Sequence, residues 1–304
     1  MDAWLPGMAI SPAPSITMFI DELIDPYVAS RNKNRPIGKE LKPDTRRHFC
    51  ESASAFSSWL KRRARLEDFR AETVNQFLID LLGAYKSPYT AKNRRTALAI
   101  LWRYAHRCGL CEPLKDVRFV HCPVQQIEGY DVDEMRRLLE YFDGLNGVVR
   151  RTRIPRSIYW PAAVRVIWDF GLRAGDIVSA TMKDHDPRGL LWLIENKTGK
   201  RKWRPMRGNT RLAVEICIAA DRSRDFIWPG YCKKSFYRAF ARLAHRAGLP
   251  GTSRWMRRGS SSIVEFENPG MGWRFLNHSV PSLFENHYRV ERICNPSPVA
   301  PTEL

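Results

Sequence analysis

Long apolar runs are missing from this chain. None approaches the ~18–20 residues of a bilayer-crossing helix, so a membrane-spanning role is not expected. A secretory leader is not expected either, because the opening MDAWLPGMAISPAPS has no basic stretch and is broken by Pro6, Pro12 and Pro14. Cysteine is sparse and unframed: seven residues, an odd number, argue against a disulfide scaffold and suit a reducing cytoplasm. Cys108, Cys111, His121 and Cys122 offer the one zinc-like spacing. They lack a second paired motif, so free thiols and no metal are the expectation. Internal repeats and low-complexity tracts are also lacking. Acidic residues are outnumbered, 32 Asp plus Glu against 50 Lys plus Arg, which leaves a net charge of +18. Such a surplus calls for a polyanionic partner, nucleic acid first and an anionic membrane surface second.

At 304 residues, 44% hydrophobic and 27% charged, the chain can fill two modest cores. The pattern divides it into a flexible lead over 1–14, a helical domain over 15–110, a linker over 111–126, a mixed domain over 127–292 and a tail over 293–304. In the helical part, Ile16, Phe19, Ile20 and Leu23 recur at helical spacing, and Pro26 is expected to kink or end that segment. Pro43-Asp44 opens a second helix bearing Phe49, Ala53, Phe56, Trp59 and Leu60. A third spans about 71–82, and Ser87-Pro88 starts a fourth over 89–107. Lys61, Arg62, Arg63 and Arg65 crowd the end of the second helix. Lys92, Arg94, Arg95, Arg103 and Arg107 mark the fourth, where contact with phosphates is expected. Further on, Asp131 and Glu134 form a capping box, an apolar helix over 158–170 stops at Gly171, and LLWLIEN with RKWRPM flanks a polar turn as a β-hairpin. Helices resume near 210–221 and 233–247.

Chemistry concentrates in the last 130 or so residues. Arg173 follows the apolar helix in GLRAGD, where a planar guanidinium can hold two phosphate oxygens and Asp176 can orient it. Lys197 heads the KTGK turn; a flexible lysine there can protonate a leaving 5′ oxygen, with Lys200 and Lys202 as rivals or as phosphate contacts. Arg254, Arg257 and Arg258 lie in RWMRRG, with Arg258 expected to contact DNA, His278 in LNHS, and Tyr288 ten positions later in ENHYR. Cations around a nucleophilic phenol suit attack on a phosphodiester, because negative charge builds on the phosphate oxygens in the transition state. No second tyrosine is close in sequence, Tyr237 being the nearest.

Order and spacing of these stretches resemble the tyrosine recombinase (phage integrase) family over about residues 15–292. GLRAGD is similar to its first arginine box, WMRRG to its H-x-L-R-R-T box, and LNHS to its L-G-H-x box. Arg254 stands for the usual His or Lys, Gly259 for Thr and Asn277 for Gly. Asn tolerates positive φ, so the tight turn can survive. The resemblance implies a mainly α fold with a small β-sheet: a helical, SAM-like core-binding domain and a mixed α+β catalytic domain. It also implies a site-specific recombinase that cuts and rejoins double-stranded DNA through a 3′-phosphotyrosyl link, as a homotetramer on two sites, in the cytoplasm and without cofactor or membrane. Arg173, Lys197, Arg254, Arg257, His278 and Tyr288 would be its catalytic residues. A type IB topoisomerase, and a DNA-binding protein whose site has decayed, remain the alternatives.

Overall fold

The computed structural model describes residues 18–84, 87–186 and 188–295. The expected lead over 1–14, the start of the first stripe at Ile16, and residues 296–304 of the expected tail lie outside the described residues. The chain divides into two compact units, Met1–Val124 and Gln125–Leu304. The fold is mainly helical with one small sheet, as expected.

The first unit is a helical bundle: α1 (Ile24–Lys33), α2 (Pro43–Trp59), α3 (Ala71–Ala84) and α4 (Pro88–Arg107). Pro26 does not end the first helix. A 3₁₀ turn over Ile20–Leu23 leads into α1, so Pro26 falls in the opening turn of α1, where its missing N–H has no helical partner to lose. Phe49, Ala53 and Phe56 of α2 meet Val74, Phe77, Leu78 and Leu81 of α3 and the buried face of α4 in one core. The cations after α2 are tied within the unit, Arg62 to Asp68 at 2.5 Å and Arg63 to Asp21 and Glu22 at 3.0 Å each.

The second unit is built on α6 (Arg156–Phe170), which is buried over most of its length and packs against α5 (Val132–Asp143) and α8 (Gly208–Ala219). The expected capping box starts α5: Asp131 Oδ1 accepts from Glu134 N–H, and Asp131 N–H donates to a Glu134 carboxylate oxygen, both at 2.8 Å. Gly171 ends α6 in the left-handed conformation at φ +57°, which turns the chain straight into Arg173. The short α7 (Ala174–Ile177) follows, then an antiparallel sheet of β1 (His185–Asp186), β2 (Leu190–Ile194) and β3 (Arg201–Pro205) in that order. The strand β1 is not expected from sequence, since two residues carry no period. Leu191 pairs with Arg204, Trp192 with Trp203 and Leu193 with Lys202. Alternation therefore sends Leu191, Leu193 and Lys202 inward and leaves Trp192 and Trp203 exposed and stacked, ring centres 5.6 Å apart. The remaining helices are α9 (Lys233–Arg246), α10 (Ser253–Glu267), α11 (Gly272–Phe275), α12 (Ser282–His287) and α13 (Glu291–Cys294).

Candidate active site

Four of the six expected catalytic side chains converge. Arg173 caps α7, Arg257 rises from the first turns of α10, His278 follows α11, and Tyr288 ends α12. The His278 and Tyr288 rings meet edge to face, centroids 4.8 Å apart. The Arg257 guanidinium carbon lies 5.2 Å from the Tyr288 ring centre, and its Nη2 stands 3.4 Å from His278 Nε2. Asn277 adopts φ +59°, so the tight turn before His278 survives without glycine.

Electrostatics distinguishes the phenols. Burial pushes the Tyr288 hydroxyl up, but the charges and hydrogen bonding of Arg257 and Arg173 outweigh it and hold the pKa below the ordinary tyrosine value. Tyr237, distant in sequence, proves to border the same cluster, since the charges of Arg254, Asp176, Arg173 and Tyr288 all act on it. Burial dominates there, and its pKa is raised. Of these two phenols, Tyr288 is the one whose proton is loosened. His278 is drawn down to about 4, by burial first and then by Arg257 and Arg173, so its imidazole is neutral at pH 7.

Arg257 is 1% exposed. Its Nη1 donates to the Gly171 carbonyl and its Nη2 to the Leu276 carbonyl at 3.3 Å, so the end of α6 and the end of α11 fix its plane. Its Nε and the Nδ1 of His278 are buried and find no partner among the described residues. Buried donors of this kind are costly unless something accepts from them.

The nucleophile is seated on the helix that carries Arg257. Ser262 Oγ donates to the Tyr288 carbonyl at 3.1 Å and accepts from Val290 N–H at 2.9 Å. Arg258 donates to the His287 carbonyl at 3.1 Å and to the Glu128 carbonyl at 3.3 Å, so it serves as an internal clamp. Gly259 has a packing cause. A Cβ there would lie 1.7 Å from the Tyr130 carbonyl oxygen, so α10 can approach this segment only without a side chain.

The carboxylate nearest the arginine pair is one the sequence reading missed. Asp176 stands 4.0 Å from Arg173 Nη1; its oxygens instead accept from the backbone N–H of Asn196 at 2.9 Å and of Arg173 at 3.3 Å. Glu195, 1% exposed, sits 3.3 Å from Arg173 Nη1 and 3.8 Å from Arg257 Nη1. A signal existed: inward Leu191 and Leu193 alternate with outward Trp192 and Ile194, and the same period puts position 195 inside.

The other expected residues lie apart from this core. Lys197 is exposed at the turn between β2 and β3, and Arg254 is exposed in the first turn of α10. Lys200 reaches the carbonyl of Asn277 at 3.2 Å, next to His278. The expected DNA contact of Lys202 is corrected. Its side chain is buried, donates to the carbonyls of Phe170 and Phe275, and titrates at about 6, chiefly through burial and then through Arg257 and Arg204. A neutral amine with two N–H donors matches those two acceptors. In the first unit Arg95, half-exposed, donates to the Arg118 carbonyl at 2.6 Å and the Val117 carbonyl at 3.0 Å, and its guanidinium lies over Phe119. Arg94 bonds Ser52 Oγ at 3.1 Å and lies 3.7 Å from Glu51. Lys92 and Arg103 remain exposed, eleven positions apart on one face of α4. Among the described residues no group of three His, Cys, Asp or Glu side chains is placed to hold a metal.

No family model matches the chain, and no curated protein matches it by sequence. Solved structures do. A lambda integrase dimer bound to a COC′ core site is 16% identical at a TM-score of 0.72, over 95% of this chain and 82% of that one. The Tn1549 transposon integrase, in complex with a circular-intermediate DNA, is 13% identical at 0.66, over 89% and 95%. The XerH site-specific recombinase, bound to a palindromic difH substrate, is 14% identical at 0.63, over 82% and 75%. The resemblance read from the motifs thus holds at the level of architecture, and the fold of this chain is that of the tyrosine recombinases.

Proposed function

We propose that the protein is a site-specific DNA recombinase that cuts and rejoins double-stranded DNA through Tyr288. The observation that carries this reading is a half-buried phenol whose proton is loosened by two guanidiniums, with a neutral imidazole at its edge. In this reading Arg173 and Arg257 hold the nonbridging oxygens of the scissile phosphate. The unpartnered N–H of Arg257 and the imidazole of His278 supply further donors as charge builds there. Arg254, exposed in the first turn of α10, adds a cation, and a guanidinium is a poor proton shuttle. Tyr288 releases its proton to solvent, the phenolate oxygen bonds to phosphorus, the bond to the 5′ oxygen breaks, and Lys197 gives that oxygen its proton. The resulting 3′-phosphotyrosyl ester conserves the bond energy, and a 5′ hydroxyl from the partner strand reverses the step in recombinant form. Lys92 and Arg103 are the cations of the first unit that remain placed to meet backbone phosphates. By likeness to a lambda integrase tetramer bound to a Holliday junction, we propose a tetramer as the working form, acting on two sites in the cytoplasm.

A nicked duplex carrying the DNA that borders the gene tests this, because the nick lets the released 5′ end diffuse away and traps the adduct. The wild type and Tyr237→Phe should give a denaturation-resistant protein–DNA complex. Tyr288→Phe should give none while binding the duplex within a few-fold of wild type. An adduct that persists in Tyr288→Phe and disappears in Tyr237→Phe would transfer the nucleophile to α9.

A further inference from the structure

The carboxylate of Glu195 has no part in the chemistry above, yet it lies between the two guanidiniums assigned to the phosphate. Like charges in a buried site repel, and a buried charge is tolerated only when paired. Tyr288, once ionised, acts on both guanidiniums, but as a phenol it carries no charge. Asp176 stands farther from Arg173, so before that proton leaves Glu195 is the near anion between the pair. The position of Glu195 is fixed by backbone. Its N–H donates to the Lys200 carbonyl at 2.9 Å, its own carbonyl accepts from Gly199 N–H at 2.7 Å, and Thr198 Oγ1 donates to Oε2 at 2.8 Å. Oε1, which faces Arg257, has no hydrogen-bond partner among the described residues.

We propose that Glu195 is a positioning residue, the buried counter-ion that holds Arg173 and Arg257 side by side for a single phosphate while moderating their attraction for other anions. This rests on the recombinase reading. Glu195 transfers no proton and touches no substrate; it acts through the arginines.

Glu195→Gln keeps the shape and an acceptor for Thr198 but removes the charge. On the nicked duplex, adduct formation should slow at least tenfold. The loss should be equal on a substrate whose leaving 5′ oxygen is replaced by sulfur, because a sulfur leaving group bypasses only the proton donor. Inorganic orthovanadate, which adopts the five-coordinate geometry of phosphoryl transfer, should bind the variant at least as tightly as the wild type, and Glu195→Asp should recover part of the rate. A wild-type rate in Glu195→Gln overturns the proposal. So does recovery on the sulfur substrate, which would make Glu195 an aid to the leaving group. Parallel loss of rate, vanadate binding and melting temperature would reduce it to a structural residue. Should Glu195→Gln fail to fold, Glu195→Asp must still cleave more slowly than wild type with vanadate binding intact, or the proposal falls. If the wild type itself neither binds vanadate nor forms an adduct, the recombinase reading fails instead.

Discussion

Arg63 in the first unit reaches Asp21 and Glu22 at 3.0 Å with all three side chains nearly half exposed. Arg257 in the second unit is 1% exposed and pinned by two carbonyls and a buried glutamate. Both belong to clusters that look alike on paper, KRRAR and RWMRR. In water an ion pair gains little, because solvent screens it and two long side chains lose freedom. In the interior the same charge acts on its neighbours, depressing the Tyr288 phenol and adding to the depression that burial imposes on the His278 imidazole. The +18 surplus therefore falls into two environments: exposed cations screened by water, and a buried one that shifts the pKa of a phenol.

The contrast can be broken most directly at Arg257. Arg257→Ala should abolish adduct formation and destabilise the second unit by about 3–5 kcal/mol in denaturant titrations, since it strands the Glu195 charge and two carbonyls. A folded variant of native stability would mean that the buried pair is dispensable. Next in size, Gly259→Thr introduces the residue usual in the family that the motifs resemble, yet should cost roughly 1–3 kcal/mol or more, because its Cβ meets the Tyr130 carbonyl. A gain in stability or activity would instead mark Gly259 as a site of decay.

The pH dependence sharpens the same point. The folded-state pKa of His278 is depressed to about 4, so the unfolded chain binds its proton more readily. This contribution is fully present above the ordinary histidine range near 6.5 and is lost as pH falls from there to about 4. Melting curves should show stability declining across that window, with a shallower slope in His278→Gln. An unchanged slope would leave the imidazole outside the charged cluster. Smallest of all, Arg63→Ala should leave melting temperature and adduct yield close to wild type, as expected for an exposed pair. A large loss there would erase the distinction between the units.

Much of the architecture was readable where local rules act alone. The capping box at Asp131, the stop at Gly171, the hairpin around the KTGK turn and the Ser87-Pro88 start all appear, because each depends on residues a few positions apart. Pro26 misled because a proline reads as a breaker without knowledge of where its helix begins. Lys202 misled because a cation looks solvent-facing until the carbonyls it serves, at Phe170 and Phe275, are brought to it.

The order of the arginine boxes, the LNHS turn and the terminal tyrosine pointed to the fold, because motif spacing is a property of the chain itself. Tertiary packing decided which charges count. Folding set Glu195 between Arg173 and Arg257, brought Tyr237 to the rim of the cluster, and made Gly259 a necessity of close approach. Burial and long-range proximity fix the strength of an electrostatic interaction, and neither is written in the neighbourhood of any single residue.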